Sequence, residues 1–232
     1  MKNLAIIPAR EGSKRVRKKN IRSFHGKPLI SWVINTALET RLFNEVIVST
    51  DSEEIAKLSR ALGASVPFLR PKEISSDETP LIEVIRHAIT WTSDRYSHND
   101  NLTLLYATAP FLTEKYLKQS IESLSSFDFA VSVCSYVHPI QRALKLDIGS
   151  QRLTMKNQEE YFTRSQDLPE MFHDAGQFVS GKIRAWKRTT PFLNSSTTGV
   201  RLPRHIVQDI DTEEDWKEAE IKFQLLKTNA SF

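Results

Sequence analysis

Leu4-Ala5-Ile6-Ile7-Pro8-Ala9-Arg10-Glu11-Gly12-Ser13-Lys14, continued by Arg15-Val16-Arg17-Lys18-Lys19-Asn20, decides the fold. Apolar residues stopped by a proline read as a short strand buried on both faces, the kind found in parallel sheets. The basic, glycine-containing loop behind it runs to Lys27-Pro28, where Leu29, Ile30, Val33, Ile34, Ala37 and Leu38 fall on one face at helical spacing. One β-loop-α unit is thereby set, and the chain repeats it. Residues 46–50 form a second β-branched strand, with Asp51 or Ser52 placed to cap a helix through Ile55, Leu58 and Leu62 that stops at Gly63. Residues 65–69 read as a third strand ended by Arg70-Pro71. The polar run 72–80 then leads into a helix carrying Leu81, Ile82, Val84, Ile85, Ala88 and Ile89.

Farther out, residues 102–106 read as a strand, Thr113 as the cap of a helix through Leu117, Ile121 and Leu124, and residues 127–134 as another strand. Strands alternating with helices through the first ~130 residues predict an α/β fold with a parallel, doubly wound sheet and ligands at the strands' carboxyl ends. From 137 to 174 the pattern loosens. Two short strand-like pieces there, LKL and RLTM, flank Asp147-Ile148-Gly149-Ser150 and predict an extended hairpin arm, either a lid or an oligomer contact. Residues 177–186 and 205–210 read as returning strands. Residues 212–227 read as an amphipathic helix bearing Trp216, Ala219, Phe223 and Leu226, and Ala230-Ser231-Phe232 as a frayed end. Residues 1–232 are expected to form a single domain with the arm inside it.

With 40% hydrophobic and 26% charged residues, composition excludes a disordered, collagen-like or disulfide-scaffold chain. A single cysteine, Cys134, forms no intrachain disulfide, fits a reducing compartment and reads as core. No apolar run reaches the ~18–20 residues that span a bilayer, and MKNLAIIPAREGSK is too briefly apolar for a secretory signal. The expected place is cytoplasmic, with no membrane partner.

The net charge of +4 is unevenly placed: Arg10, Lys14, Arg15, Arg17, Lys18, Lys19, Arg22 and Lys27 crowd the first loop, opposed by Glu11. Charge alone leaves a solvated basic surface open beside an anionic ligand. No nucleic-acid-binding motif accompanies it, so a small phosphorylated ligand is favoured over nucleic acid. Amides around Gly12 can cradle phosphate oxygens while Arg10 and its basic neighbours offset charge on a transferring phosphoryl group. The spacing is neither that of a P-loop nor that of a dinucleotide fingerprint. Asp209 and Asp211, two apart on an expected strand end, share a face as a hard cation requires. Thr212-Glu213-Glu214-Asp215 is also an acidic first turn of a helix, so spacing alone leaves Asp211 open as its cap.

Ile7-Pro8-Ala9-Arg10-x-Gly12-Ser13-Lys14 followed by Lys19-Asn20 resembles the N-terminal signature of the CMP-sialic acid synthetase group of cytidylyltransferases, which activate acidic nonulosonic sugars. Ser49-Thr50-Asp51-Ser52-x-x-Ile55, Arg70-Pro71 and Asp209-Ile210-Asp211 follow in the group's order, so the resemblance covers most of the chain. Within the group, LYATAPF at 105–111, RSQDLP at 164–169 and FHDAGQF at 172–178 are most similar to the pseudaminic acid cytidylyltransferases. Sialic acid members typically show Gln-Pro-Thr-Ser-Pro at the first place and Asn-Gly at the last; here stand Tyr106-Ala107-Thr108-Ala109-Pro110 and Ala175-Gly176. Val179-Ser180 departs from the aromatic pair expected after Phe178.

The resemblance implies a Rossmann-like nucleotide-diphospho-sugar transferase fold with a mostly parallel sheet and a dimerisation arm over 137–174. It implies that CTP and an acidic nine-carbon sugar react, with Mg2+, to a CMP-sugar and pyrophosphate. Pseudaminic acid is the expected sugar; legionaminic, sialic and keto-deoxyoctulosonic acids are the alternatives. Catalysis falls to Arg10, Lys19, Asp209 and Asp211, the two aspartates as metal ligands. Nucleotide contacts fall to Pro8, Ala9, Arg10, Gly12, Ser13, Lys19, Asn20, Arg70 and Asp77. Sugar contacts fall to Tyr106, Thr108, Lys145, Arg164, Gln166, His173, Asp174 and Gln177, with Lys145 and Arg164 reaching across a homodimer to the substrate carboxylate. His173 is a base, a sugar ligand or a hydrogen-bonded structural residue, and Gln177 a sugar ligand or a backbone partner. A catalytically inactive nucleotide-binding homologue is the other class, and loss of Arg10 or of either aspartate would mark it; all three are present.

Overall fold

The computed structural model describes residues 1–188 and 191–228. Strand β1 (Asn3–Pro8) is inserted between two parallel neighbours, and its side chains alternate between two cores. Ala5 and Ile7 join one apolar cluster, Leu4 and Ile6 the other, all fully buried. This is the pattern of a strand covered on both faces. A small hairpin of β2 (Ser23–Phe24) and β3 (Lys27–Pro28) precedes helix α1 (Leu29–Glu39). Then come β4 (Glu45–Ser49), α2 (Glu53–Ala61), α3 (Leu81–Trp91), β5 (Asn101–Leu105), α4 (Glu114–Ser123) and β6 (Phe129–Ser135). An antiparallel pair, β7 (Leu144–Leu146) and β8 (Leu153–Met155), forms the expected hairpin of the arm. The chain closes with β9 (Phe172–Lys182), α5 (Ile183–Trp186), β10 (Thr197–Arg201) and α6 (Glu213–Thr228).

The central sheet has the order β10-β6-β9-β5-β1-β4, and β9 alone runs antiparallel to its neighbours β5 and β6. Buried residues of α1, α2, α4 and α6 lie in the cluster on one face, and those of α3 and α5 in the cluster on the other. The sheet is therefore mostly parallel, flanked by helices and doubly wound. No helix among the described residues is long and apolar enough to cross a membrane.

Several expected elements differ. Residues 65–69 make only isolated bridges, Ile47 to Ser65 and Thr50 to Leu69. Pro67 has no N–H to give to a ladder, so the segment touches the sheet at its two ends and lifts off between them. The strand expected over 177–186 begins five residues earlier, at Phe172, and ends at Lys182, where the chain turns into α5. Residues 205–210 are not a strand. Pro203 leads into a single 3-10 turn, Arg204–Ile206, closed by bonds from Ile206 N to Pro203 O (3.1 Å) and from Val207 N to Arg204 O (3.2 Å). The returning strand is β10, in which a Cβ added at Gly199 would lie 2.9 Å from Val133 Cγ2, so only glycine lets the two strands approach. Ser52 and Thr113 precede α2 and α4, yet neither side chain makes a capping bond. The expected frayed end at 230–232 lies outside the described residues.

Candidate active site

The basic loop leaves the carboxyl end of β1 and is pinned along its length. Ala9 N donates to Ser49 O (2.9 Å), Glu11 N to Asp51 Oδ1 (3.0 Å), and Asn20 Nδ2 to Arg10 O (2.9 Å). Val16 is buried beneath the loop and Asn20 is nearly so, while Lys18 takes a left-handed backbone (φ 50°) that turns the chain back. A cleft of about 300 Å³ opens beside it. Arg10, Ser13, Lys14 and Lys19 form one wall, Arg70, Ser76, Asp77 and Thr79 the other, and Tyr106 and Thr108 stand at the end of β5.

Charge in the cleft is cross-braced. Asp77 pairs with both Arg10 and Lys14, and these contacts, Lys14 first, hold its carboxyl below the usual carboxylate range. Arg70, 5% exposed, donates Nε to Ser75 Oγ (3.1 Å) and stands 4.0 Å from Asp51. Burial pulls its pKa down against the opposing pull of Asp51, and the charge of Arg10 adds to the lowering. Lys19 Nζ donates to Ile210 O (2.5 Å) and to Asp211 Oδ1 (3.2 Å), and Arg15 meets Asp211 Oδ2 at 2.9 Å.

Asp211 therefore belongs to the cleft and not to the helix start. The cap of α6 is Thr212: its Oγ1 accepts from Asp215 N (3.2 Å), and Asp215 Oδ2 accepts in return from Thr212 N (2.7 Å) and Asp211 N (3.0 Å). The segment carrying Asp209 and Asp211 is irregular, so the shared strand face expected from their spacing does not exist. Asp209 instead lines a second recess of about 370 Å³ with Ser135, His173, Asp174, Arg204 and Gln208. Gly176, at φ +63°, lies against it: a Cβ there would sit 3.7 Å from Asp209 Cγ. Both Asp174 and Asp209 keep an edge open to solvent, yet desolvation by the recess walls raises each pKa, with the Asp211 charge the next cause at Asp209. Tyr106 stands between cleft and recess, its hydroxyl raised by burial and then by Asp174 and Asp209. Among the described residues no group of three or more His, Cys, Asp or Glu side chains is arranged to hold a metal ion.

Of the expected nucleotide residues, Pro8, Arg10, Ser13, Lys19, Asn20, Arg70 and Asp77 line the cleft; Ala9 and Gly12 shape its loop without lining it. Of the expected sugar residues, Tyr106 and Thr108 line the cleft, and His173 and Asp174 the recess. His173 Nδ1 lies 2.8 Å from Asp174 O, and Asp174 Oδ1 accepts from Gly176 N at 2.8 Å. Gln177 is buried, with Nε2 donating to Ile206 O (2.5 Å), which is the backbone-partner reading. Lys145, Arg164 and Gln166 line neither hollow. Lys145 lies on the hairpin, Arg164 pairs with Asp167 (2.8 Å), and Gln166 borders a separate depression at the base of the arm. The sequence reading missed Thr79 and Arg204, which carry no motif, and placed Arg204 beside an expected strand.

A doubly wound α/β sheet with a pinned basic loop at the carboxyl end of β1 is an architecture suited to holding the phosphates of a nucleotide. Residues 4–220 match the family described as Cytidylyltransferase, and the chain belongs to that family. The pseudaminic acid cytidylyltransferase of Campylobacter jejuni subsp. jejuni is 42% identical over 229 residues, 97% of each chain. The CMP-N,N'-diacetyllegionaminic acid synthase of Legionella pneumophila is 29% identical, over 93% of this chain and 94% of that one. Among solved structures, a CMP:2-keto-3-deoxy-manno-octonic acid synthetase complexed with CTP shares the fold, with a TM-score of 0.69 over 97% of this chain and 99% of that one at 12% identity.

Proposed function

We propose that the protein couples CTP to pseudaminic acid, giving the CMP-sugar and pyrophosphate. The anomeric oxygen attacks the α-phosphorus, the bond from that phosphorus to the bridging oxygen of the β-phosphate breaks, and the hydroxyl proton is released. The observation that carries this reading is the convergence of Arg10, Lys14, Lys19 and Arg70 on one cleft at the end of β1. Negative charge grows on the leaving pyrophosphate and on the equatorial oxygens, and fixed cations stabilise it where it develops. Arg10 and Lys14 are held by Asp77 before any phosphate enters, so the triphosphate exchanges one anionic partner for another.

Mg2+ fits the acidic edge opposite. A magnesium site commonly takes one or two carboxylates and completes its shell with water and substrate phosphates, so a cluster of three protein ligands is not required. Asp209 and Asp211 would hold it, Asp211 from the cleft where it also meets Lys19 and Arg15, and Asp209 from the recess, where desolvation first and the Asp211 charge next raise its pKa. When bound, the metal supplies charge neutralisation at the phosphate oxygens. A homodimer through the arm is supported by the exposed apolar side chains of Leu144, Leu146, Ile148, Leu153, Tyr161 and Phe162. The free thiol of Cys134 suits the cytoplasm.

Pyrophosphate release with each of the four ribonucleoside triphosphates, against pseudaminic, legionaminic, N-acetylneuraminic and keto-deoxyoctulosonic acids, tests the reading. CTP with pseudaminic acid is expected to give the highest kcat/KM. Preference for another nucleotide overturns the cytidylyl assignment, and preference for another acid replaces the sugar.

A further inference from the structure

Two of the cations in the cleft are already neutralised by the chain itself, and the group that does this is a carboxylate. Asp77 meets Arg10 through one oxygen and Lys14 through the other. It has the sign of a phosphate and offers none any attraction, so whatever it does for a nucleotide it does through those two cations. The proposed reaction puts the attacked phosphorus on the side of the acid pair, where Lys19 meets Asp211. The outer phosphates are then left to Arg10 and Lys14.

Asp77 is placed to move. It lies in residues 71–80, a segment bounded by Pro71 and Pro80 in which no residue is buried. The root of the segment is tied down: the buried Arg70 donates Nε to Ser75 Oγ (3.1 Å), which donates to Pro71 O (2.8 Å). Farther along, Ser76 Oγ and Thr79 Oγ1 close a turn on each other at 2.9 Å. Among the described residues, Asp77 alone ties this segment by ion pairs to the basic loop across the cleft. An exposed segment held mainly at its ends opens at small cost.

We infer that Asp77 is a tethered stand-in for the outer phosphates, a positioning residue that yields to the triphosphate and returns to displace pyrophosphate. Its tether gives it an effective concentration that free pyrophosphate in dilute solution does not match. The triphosphate prevails because it also keeps the nucleoside's contacts with the rest of the cleft. Pyrophosphate, severed from the nucleoside by the reaction, loses them.

This inference rests on the proposed activity, and the experiment separates the two. Calorimetry in Mg2+ compares wild type, Asp77→Asn and Glu78→Gln for binding of CTP, CMP and inorganic pyrophosphate. Asp77→Asn is expected to bind pyrophosphate and CTP ~3–30-fold more tightly, with CMP within about 2-fold and a smaller gain at high salt. A merely structural role for Asp77 predicts weaker binding, not tighter. Glu78, exposed and paired with neither cation, controls for the loss of one negative charge and should change each Kd by less than about 2-fold. Pyrophosphate binding that is unchanged or weaker in Asp77→Asn overturns the inference, as does an equal gain in Glu78→Gln or an equal gain for CMP. A wild type that binds pyrophosphate and not CTP overturns the proposed activity, while tighter pyrophosphate binding in Asp77→Asn still upholds the stand-in. Should the asparagine variant fail to fold, Asp77→Ser carries the same comparison, with melting temperature as the check.

Discussion

Asp77 is shared by Arg10 and Lys14 across the mouth of the cleft, with about a third of the Arg10 and Asp77 side chains exposed. Pairs so open to solvent add little to folding, so these residues can be changed without losing the structure. Arg10→Ala is expected to keep its melting temperature and to lose turnover by ~10²-fold or more, measured as pyrophosphate release under saturating substrates. A second test exploits the separation of cap from acid pair. Thr212→Ala removes the oxygen that accepts from Asp215 N and should cost ~0.5–2 kcal/mol in denaturant unfolding with near-normal turnover. Asp211→Asn should melt like wild type and turn over poorly, with partial recovery at high Mg2+; full activity there would remove Asp211 from the metal site. Arg10, Ser13, Lys19 and Asn20 were legible because they form one continuous string at the end of a strand. The separation of Asp209 from Asp211 was not, because residues two apart share a face only in a strand, and the chain there is irregular after the turn at Arg204–Ile206.

The five longer helices among the described residues were legible as elements, since apolar residues recurring every three or four positions survive whatever they pack against, whereas the short α5 was read as the end of a strand. The strands were harder to bound. Residues 65–69 are apolar enough to read as a strand, yet Pro67 reduces the segment to two bridges. β10 hides in Thr-Thr-Gly, where the glycine looks like a turn and is instead the point of closest approach to Val133. β9 carries another glycine of this kind. A Cβ at Gly181 would lie 2.5 Å from Phe129 Cδ1 and 2.8 Å from Trp186 Nε1, inside a fully packed corner. Gly181→Ala is therefore expected to destabilise by ~1–3 kcal/mol in urea unfolding. Its position opposite Leu102 and Phe129, away from the cleft, leaves the CTP KM unchanged in the folded fraction.

Across the whole molecule, the end of the sheet away from the cleft is closed by Asp128, which meets Arg188 at 2.7 Å, Arg184 at 3.5 Å and Lys182 at 3.8 Å. Desolvation pushes its pKa up, but the three cations, Arg188 foremost, more than reverse this and leave it lowered. A lowered folded pKa contributes stability above the unfolded value of 3.8, and that contribution is lost as pH falls through the folded value. Asp128→Asn should thus melt below wild type at pH 7, and the two melting temperatures should converge in acid, as followed by circular dichroism. At the cleft end, the arm leaves the sheet after β6 and returns into β9, and its two stems are hydrogen-bonded to each other: Cys134 is opposite His173, Ser135 opposite Phe172, and Tyr136 N donates to Met171 O (3.1 Å). Topologically the arm is an insertion in a β-hairpin whose last rungs are already paired. Cutting it out and joining those rungs by a two-residue turn closes a shorter loop at no greater entropic cost. The excised protein should keep its melting transition and bind CTP by calorimetry while sedimenting as a monomer. The arm is in this sense a graft, one that can be lengthened, pruned or exchanged at two adjacent rungs while the sheet beneath keeps its register.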